Sequence, residues 1–296
     1  PNIGCRARGI SPVCPACERG DFSICQRWWE GELGPGIHSG NSVDATGGFA
    51  ELVPAHRSMV HPVPDEVPDE LAVLADPWSV SFHAITRNPP EPGSRVVVYG
   101  AGALGSTTTS ILTQLYDCEV AVVARWRAQA ELARSRGAHV VEAGPEDGEA
   151  ALRSLADWSG ASLRKPWEGL PVAYPGRVGT VYDTVGSPLT VEVGMRLLAE
   201  RGTLVQLGVG APGRFEWTPW YFKELRLVGS NAFGMETFEG RSAHAYEHFF
   251  DLILSGRLDL SGMLTHTWRL EQWREAFVGI LEGADSGAIK VGFDFR

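Results

Sequence analysis

Hydrophobic and polar residues follow two different patterns along the chain, and the change falls near residue 95. From there on, short runs of β-branched apolar residues are separated by stretches whose apolar residues recur at three- and four-residue spacing. The first pattern predicts buried parallel strands, and the second predicts amphipathic helices. The predicted strands are residues 95–99, 119–123, 139–141, 178–183, 203–207 and 225–228, and the predicted helices between them are 104–115, 128–136 and 188–200. This alternation predicts an α/β fold with a doubly wound parallel sheet.

The segments on either side of this alternating region have a different sequence pattern. Residues 1–90 read as loops and short strands, with turn residues concentrated in 31–48. In this part we predict strands at 49–53 and 59–63 and a helix over 70–85 that Pro77 interrupts. Residues 151–177, which hold Trp158 and Trp167, predict an inserted surface excursion. After Gly234 we predict helices over 236–256 and 270–281 and a last strand over 289–294.

Charge and composition narrow the class of protein. The chain has 296 residues and a net charge of −10, from 36 acidic and 26 basic residues, which argues against a nucleic-acid or anionic-membrane partner. The longest uncharged stretch, 96–116, contains glycines and changes its periodicity midway, so it is a poor membrane span. No signal-peptide pattern opens the chain, and its first residue is Pro1. We expect a soluble, cytoplasmic enzyme.

The sequence Gly100-Ala101-Gly102-Ala103-Leu104-Gly105 lies between a predicted strand and a predicted helix. The first glycine permits a tight turn, the second lets backbone N–H groups approach a pyrophosphate, and the third lets helix and strand pack closely. The helix N-terminus adds the positive end of a dipole. The motif therefore predicts a dinucleotide site, and the alternative is a glycine-rich turn without a ligand.

The end of the second predicted strand indicates which dinucleotide binds. An acidic residue there would bind the ribose 2′-hydroxyl of NAD, but the sequence has Ala124, Arg125, Trp126 and Arg127 at this point. A small residue followed by arginine leaves space and positive charge for a 2′-phosphate. This favours NADP over NAD, with Arg125 and Arg127 as phosphate ligands. The alternative is that both arginines are solvated surface charges.

Four of the five cysteines, Cys5, Cys14, Cys17 and Cys25, lie close together in the sequence. Cys14 and Cys17 are separated by two residues, a spacing that can hold two thiolates on one Zn²⁺, and four cysteines can close a structural site. In a cytosolic protein a metal is favoured over two disulfides. Reduced thiols without a ligand remain the alternative.

The order of the motifs resembles the medium-chain dehydrogenase/reductase family, in its zinc-containing alcohol dehydrogenase branch. The resemblance covers nearly the whole chain apart from 151–177. It rests on these segments in order: Cys14-x2-Cys17-x7-Cys25, Gly47-Gly48-Phe49-Ala50-Glu51, Leu74-Ala75-Asp76-Pro77, the glycine motif, Asp183-Thr184-Val185-Gly186-Ser187, Leu207-Gly208-Val209-Gly210, Lys223-Glu224-Leu225-x3-Gly229-Ser230 and Gly287-Ala288-Ile289-Lys290-Val291.

The resemblance implies a Rossmann domain over 91–234 and a mainly-β, GroES-like catalytic domain. That domain would comprise 1–90, with a structural-zinc lobe over 5–25, and the return segment 235–296. Its opening portion, which in the family supplies a Cys and a His for the catalytic zinc, is expected to lie upstream of Pro1. The resemblance further implies a homodimer or homotetramer.

The resemblance also assigns site residues. Cofactor contacts would come from Gly100, Gly102, Ala103, Leu104, Gly105, Arg125, Arg127, Thr184, Gly208, Val209 and Gly210. Asp76 stands where relatives carry a Cys or Glu at the catalytic zinc, and the alternative is a plain helix break before Pro77. The lobe's usual cysteine three residues before Cys14 is Ser11, so Cys5 is the candidate fourth ligand.

The function that follows is a zinc-dependent alcohol or polyol dehydrogenase that transfers a hydride between a small alcohol or carbonyl substrate and NADP or NAD. One alternative is a zinc-free NADPH-dependent quinone or enone reductase of the same superfamily, although the cysteine cluster argues against it. The other is a dinucleotide-binding fragment without catalysis.

Overall fold

The computed structural model describes residues 2–166, 169–281 and 286–296. The helices are α1 (Pro15–Glu18), α2 (Asp69–Ala72), α3 (Ala75–Arg87), α4 (Ala103–Leu115), α5 (Arg127–Ser135), α6 (Gly148–Ser159), α7 (Pro188–Leu197), α8 (Thr218–Phe222), α9 (Ala245–Leu254) and α10 (Trp273–Leu281). The strands are β1 (Ser94–Tyr99), β2 (Cys118–Ala124), β3 (His139–Glu142), β4 (Leu163–Arg164), β5 (Val172–Ala173), β6 (Val178–Asp183), β7 (Leu198–Gln206), β8 (Arg226–Gly229), β9 (Met235–Phe238), β10 (Arg241–His244), β11 (Leu264–Trp268) and β12 (Lys290–Phe293). None of the helices in these ranges combines the length and the apolar character that crossing a bilayer requires.

Six strands form one parallel sheet in the order β3-β2-β1-β6-β7-β8. The chain builds outward from β1 to β3 and then returns to the other side of β1 with β6. Strand order therefore reverses between β1 and β6, where Tyr99 pairs with Asp183 at the carboxyl ends. A crevice at such a reversal is where ligands bind in open α/β sheets. The predicted doubly wound α/β sheet is confirmed.

Helices cover both faces of this sheet. Val96 and Val98 of β1 point into a core shared with α3, α4 and α9, which contribute Trp78, Ile111 and Phe249 among others. Alternate residues of the same strand, such as Val97, point into a second core built largely by α6 and α7. Because side chains alternate across a strand, a continuous run of valines is what a strand buried on both faces requires.

The prediction of a surface excursion over 151–177 is wrong in its first part. Residues up to Ser159 belong to α6, whose Leu152 and Leu155 are fully buried against the sheet. Among the described residues of the remainder, the regular structure is the short antiparallel pair of β4 and β5. Trp167, which the sequence pattern assigned to this excursion, lies outside the described residues.

The helix predicted over 236–256 begins later than expected. Residues Met235–Phe238 and Arg241–His244 form a two-stranded antiparallel hairpin, and α9 begins only at Ala245. The hairpin turns at Glu239 and Gly240, whose φ angles are both positive (49° and 79°), as in the tight turns that favour antiparallel strand pairs. The His244 side chain then accepts the N–H of Tyr246 and caps α9.

Three other predictions need correction. Residues 49–53 and 59–63 form no strands, and apolar residues in both segments are exposed. The helix over 70–85 breaks at Val73 and Leu74 rather than at Pro77. A proline is tolerated there because the first turn of α3 does not need its N–H. The helix predicted to reach residue 200 ends at Leu197, and β7 starts directly afterwards.

The N-terminal part and the C-terminal segment pack together around α3. In residues 2–92 the described β structure is limited to two isolated bridges, Asn2 with His38 and Ser42 with Ala45. The Trp78 ring of α3 lies 5.4 Å from that of Phe249 in α9. The six sheet strands fall between residues 94 and 229. The domain boundaries at 90 and 234 stay predictions.

Candidate functional site

Three glycines connect β1 to α4, and each has a different spatial role. Gly100 has a φ of 97°, which an L side chain rarely adopts. A Cβ added to Gly105 would lie 2.1 Å from the carbonyl oxygen of Gly100, so helix and turn touch there. A Cβ added to Gly102 would meet nothing within 4 Å. Gly102 therefore faces open space at the N-terminus of a helix of 13 residues.

This open space is a cleft of about 890 Å³ at the carboxyl ends of the sheet strands. Of the predicted cofactor residues, seven line it: Gly100, Gly102, Ala103, Leu104, Gly105, Arg125 and Thr184. The lining also includes Gly144, Pro145 and Glu146, which follow β3. Helix N-terminal N–H groups and a crevice of this size provide what a dinucleotide pyrophosphate needs.

The two arginines after β2 differ in their surroundings. The Arg125 guanidinium lies 4.0 Å from the centre of the Trp126 ring, and both side chains line the cleft. Arg127 does not line it. Its side chain is 89% exposed and pairs with Glu131 one helical turn away, at 2.7 Å. The sequence predicts both arginines as phosphate ligands, but only Arg125 lines the cleft.

Gly208, Val209 and Gly210, predicted as cofactor contacts, do not line the cleft. They pack instead against the turn after β6. The Gly208 N–H donates to the Asp183 carbonyl oxygen at 3.0 Å, and the Gly210 N–H donates to Gly186 at 3.2 Å. The Val209 side chain points into solvent.

Asp183 has a role that the sequence did not predict. Its fully buried carboxylate accepts the N–H groups of Val185 and Gly186 at 2.9 Å and the Thr190 hydroxyl at 2.7 Å. Burial raises the pKa of this carboxyl, against those hydrogen bonds. Asp183 therefore shapes the turn that carries Thr184 into the cleft, and its position at the end of a buried strand was the only signal.

The cysteine cluster is brought together as its spacing predicts. The Sγ atoms of Cys5, Cys14, Cys17 and Cys25 all lie within 4.8 Å of one another, and all four residues are buried. Cys5 and Cys25 are 3.7 Å apart, and none of the four is in a disulfide. A tetrahedral zinc with Zn–S bonds of about 2.3 Å separates its sulfurs by about 3.8 Å, so the donors fit that ion. Cys5 takes the place in this cluster that Ser11 leaves open.

Local backbone geometry builds this lobe. Cys14 caps α1, with its Sγ accepting the Cys17 N–H. Burial alone would raise the pKa of the Cys14 thiol, but hydrogen bonds from Cys17 and Gln26 N–H groups bring it to about 6. Burial raises the pKa of Cys17 and of Cys25. A thiol with a low pKa loses its proton more readily when it binds a metal.

A buried arginine, Arg8, connects the cysteine lobe to the loop that follows it, and no sequence motif indicates this role. The Arg8 guanidinium is fully buried and donates to the carbonyl oxygens of Leu33 at 2.8 Å, Gly34 at 3.1 Å and also Gly36. These contacts hold the loop that follows the cysteines against the lobe. Arginine suits this task because its planar head carries five donors.

Asp76, the predicted catalytic-zinc residue, is exposed in the first turn of α3. Its charge acts on two neighbours: it adds to burial in raising the pKa of the Tyr246 hydroxyl, and it opposes the burial that lowers the pKa of His38. Within residues 2–166, 169–281 and 286–296, the only cluster of three or more His, Cys, Asp or Glu donors is the cysteine cluster. A metal role for Asp76 stays a prediction.

A second cavity, of about 160 Å³, lies beside the cysteine lobe. Its lining includes Cys5, Cys17, His61, His244 and Tyr246. The two imidazole rings are stacked, with centres 4.0 Å apart. Burial, with a smaller contribution from His61, lowers the pKa of His244 to about 4. No spacing in the sequence indicates that these two histidines pair.

A buried carboxylate connects α3 to the hairpin of β9 and β10. Glu236 Oε1 lies 2.6 Å from His83 Nδ1, and its Oε2 accepts from Thr86 at 3.1 Å and from Arg87 at 3.3 Å. Arg87 also pairs with Asp21 of the cysteine lobe, at 2.8 Å. Through these contacts Glu236 links α3, the hairpin and the cysteine lobe.

Comparison with known proteins identifies a family model and relatives that resemble this chain. Residues 103–247 match the model of the zinc-binding dehydrogenase family. The chain is 26% identical to (R,R)-butanediol dehydrogenase of Saccharomyces cerevisiae, over 93% of this chain and 66% of that protein. It is 25% identical to L-threonine 3-dehydrogenase of Shewanella oneidensis, over 99% of this chain and 77% of that protein. The chain is therefore similar to zinc-type dehydrogenases, and the family model matches just under half of its length.

Solved structures share this fold. L-idonate 5-dehydrogenase from Escherichia coli superposes with a TM-score of 0.72 at 21% identity, covering 95% of this chain and 72% of that one. A putative zinc-binding dehydrogenase from Sinorhizobium meliloti, bound to NADP, superposes with a TM-score of 0.69 at 26% identity, covering 98% and 74%. The chain spans 66% and 58% of the length of two yeast relatives, the butanediol dehydrogenase and a probable diacetyl reductase.

Proposed function

We propose that this protein is a zinc-dependent dehydrogenase that moves a hydride between a small alcohol or polyol, or the matching carbonyl compound, and NADP or NAD. The observation that carries the proposal is the open space at Gly102, at the N-terminus of α4 and inside the cleft of the sheet. A side chain would fill that space without touching protein, so it is room for a ligand. Relatives named as butanediol, arabinitol and threonine dehydrogenases support a small hydroxylated substrate.

The residues of the cleft would bind and orient the dinucleotide. N–H groups at the start of α4 would hold its pyrophosphate, and Gly105 keeps α4 close enough to the β1 turn for this. Asp183 fixes the turn that places Thr184 in the cleft. When bound, the nicotinamide supplies or accepts the hydride, and the protein's part is to position it.

NADP is the proposed cofactor because Ala124 is small and buried and the Arg125 side chain lines the cleft. In the described part of the chain Arg125 has no carboxylate partner, whereas Arg127 is engaged with Glu131. We therefore assign the 2′-phosphate to Arg125 and regard Arg127 as a surface residue. Arg125→Asp should reverse the preference towards NADH.

The proposed enzyme would bind zinc at two sites. The four-cysteine cluster would hold a structural ion without an open coordination position. Asp76 would contribute one donor or hydrogen bond at a catalytic ion, which acts as a Lewis acid on the substrate oxygen when bound. The cysteine cluster disfavours the alternative of a zinc-free quinone or enone reductase, and metal analysis separates the two.

Location and assembly complete the proposal. Five cysteines without disulfides are consistent with a reducing, cytoplasmic compartment. A homodimer or homotetramer is supported by β8, which is an open sheet edge beside the exposed aromatic residues Trp217, Trp220, Tyr221 and Phe222.

The test is alcohol oxidation by the intact enzyme, measured with zinc bound, after chelation and after zinc is restored. We expect turnover to disappear on chelation and to return with Zn²⁺. Asp76→Asn should lower turnover by at least about tenfold, while the cysteine-bound zinc and dinucleotide binding are retained. Full turnover by metal-stripped enzyme would overturn the zinc mechanism.

A further inference from the structure

The contact between Arg125 and Trp126 lies at the rim of the dinucleotide cleft. The guanidinium carbon is 4.0 Å from the centre of the indole ring, well inside the range of a cation–π interaction. Both side chains line the cleft. The ring is the one contact partner that the described part of the chain gives to the Arg125 head group.

The Trp126 backbone is fixed by its place in the fold. Trp126 is the residue directly before α5, with an extended conformation (φ −117°, ψ 145°). Its carbonyl oxygen accepts the Ala130 N–H at 3.0 Å, the first hydrogen bond of that helix. The residue is half-buried, and a tryptophan ring has few rotatable bonds. The indole is therefore a better-defined surface than a flexible side chain would be.

An exposed arginine loses rotamer freedom when it binds a phosphate, and a preformed contact reduces that loss. Arg127, which has no such aromatic contact in the described part of the chain, does not line the cleft and pairs with Glu131. The cleft lining also includes the exposed carboxylate of Glu146, and a carboxylate repels a phosphate. The position of the Arg125 guanidinium therefore matters for binding an anion.

We propose that Trp126 is a positioning residue for cofactor selectivity: its ring holds the Arg125 guanidinium at the cleft, where it binds the ribose 2′-phosphate. This inference rests on the proposed dinucleotide function and adds the residue that makes Arg125 effective. Trp126 would not touch the phosphate. The preference for NADPH over NADH should therefore depend on the aromatic face at 126 as well as on the charge at 125.

The experiment is calorimetric titration of the zinc-bound protein with NADPH and NADH, which measures binding without turnover. Trp126→Leu should lower the ratio of NADPH to NADH affinity by about two- to fivefold, the value of an exposed cation–π contact. Trp126→Phe, which keeps a weaker aromatic face, should lose less. Arg125→Ala should abolish the preference, and Arg127→Ala, the matched control, should leave it unchanged.

The outcomes separate the two claims. Unchanged ratios in both Trp126 variants, with NADPH still preferred, would overturn the positioning role and leave the proposed function intact. Loss of affinity for NADPH and NADH by the same factor would also overturn it, because the ring would then serve the shared part of the cofactor. If the leucine variant does not fold, the phenylalanine ratio decides. Failure of the wild-type protein to bind either dinucleotide would instead contradict the proposed function.

Discussion

Three glycines within six residues have three physically different surroundings. The tight turn at Gly100 and the close packing at Gly105 agree with the sequence prediction, and the pyrophosphate contact at Gly102 stays a prediction. Gly100 needs its positive φ, Gly105 needs its missing Cβ, and Gly102 needs the open space in front of it. The sequence could not predict that Arg125 and Arg127 would diverge. Their difference depends on Trp126 and Glu131, whose contacts arise only when α5 begins at residue 127.

Exchanging two of these glycines for alanine should separate folding from binding. Gly105→Ala places a Cβ against the Gly100 carbonyl and should lower the free energy of unfolding by about 1–3 kcal/mol. Gly102→Ala meets no protein atom, so stability should stay within about 0.5 kcal/mol of the parent protein, while dinucleotide affinity falls. Urea unfolding and calorimetry would check the pair. Equal destabilisation by both would contradict the assigned roles.

Helices and strands whose hydrophobic pattern matches their burial in the fold were predicted correctly. The valines of β1 are buried on both faces, and the apolar side of α4 lies on the sheet, so pattern and environment agree. The segment 236–244 was predicted wrongly because Phe238 and Tyr246 fall at a helical spacing by coincidence. The turn at Glu239 and Gly240 breaks that spacing, and the buried Glu236 contributes to the packing against α3.

The hairpin of β9 and β10 offers a matched pair of carboxylates. Glu236 is buried and bound by His83, Thr86 and Arg87, whereas Glu239 is exposed and pairs with Arg257. Glu236→Ala leaves these partners and the Gly234 N–H without an acceptor and should cost about 3–5 kcal/mol of unfolding free energy. Glu239→Ala should cost at most about 1 kcal/mol. Thermal or urea unfolding of both variants measures the difference, and equal losses would refute the buried network.

The cysteine lobe has a matched control in the fifth cysteine. Cys17→Ser removes one of four clustered thiols and should reduce the bound zinc per chain and unfold the lobe, because metal binding is coupled to folding at such sites. Cys118→Ser lies in β2, away from the cluster, and should retain the zinc. Elemental analysis of purified protein, with limited proteolysis of the lobe, gives the result. Full zinc in the Cys17 variant would contradict the assignment.

At the scale of the molecule, the order of strands and helices fixed the class of fold, and the family match followed it. Contacts between segments that are distant in the sequence could not be predicted from local patterns. His61 contacts His244 and Glu236 contacts His83, although the two residues of each pair are far apart in the sequence. Such contacts depend on how the C-terminal segment returns to α3, which no local pattern encodes.

The stacked histidines predict how stability depends on pH. A His244 pKa of about 4 in the folded state, below its ordinary 6.5, means that the unfolded chain binds the proton more strongly. Stability from this group is therefore present above pH 6.5 and is lost as pH falls from 6.5 to about 4. His244→Asn keeps a capping acceptor but cannot titrate.

Between pH 7 and pH 5 the parent protein should lose about 2 kcal/mol more unfolding free energy than His244→Asn does. His56→Asn provides the control, because His56 is exposed and its Nδ1 likewise accepts a backbone N–H, that of Ser58. This variant should follow the parent protein. Parallel pH profiles for the parent and His244→Asn in urea unfolding would show that the stacked pair does not control the acid response.

The central claim is that the cleft at the carboxyl ends of β1 and β6 binds a pyridine dinucleotide. Isothermal titration of the zinc-bound protein with NADPH, and separately with NADH, tests it most directly. We predict saturable binding at one site per chain, tighter for NADPH, and strongly weakened in Gly102→Ala while that variant remains folded. Absence of saturable binding for both dinucleotides, in protein shown to be folded, would contradict the account.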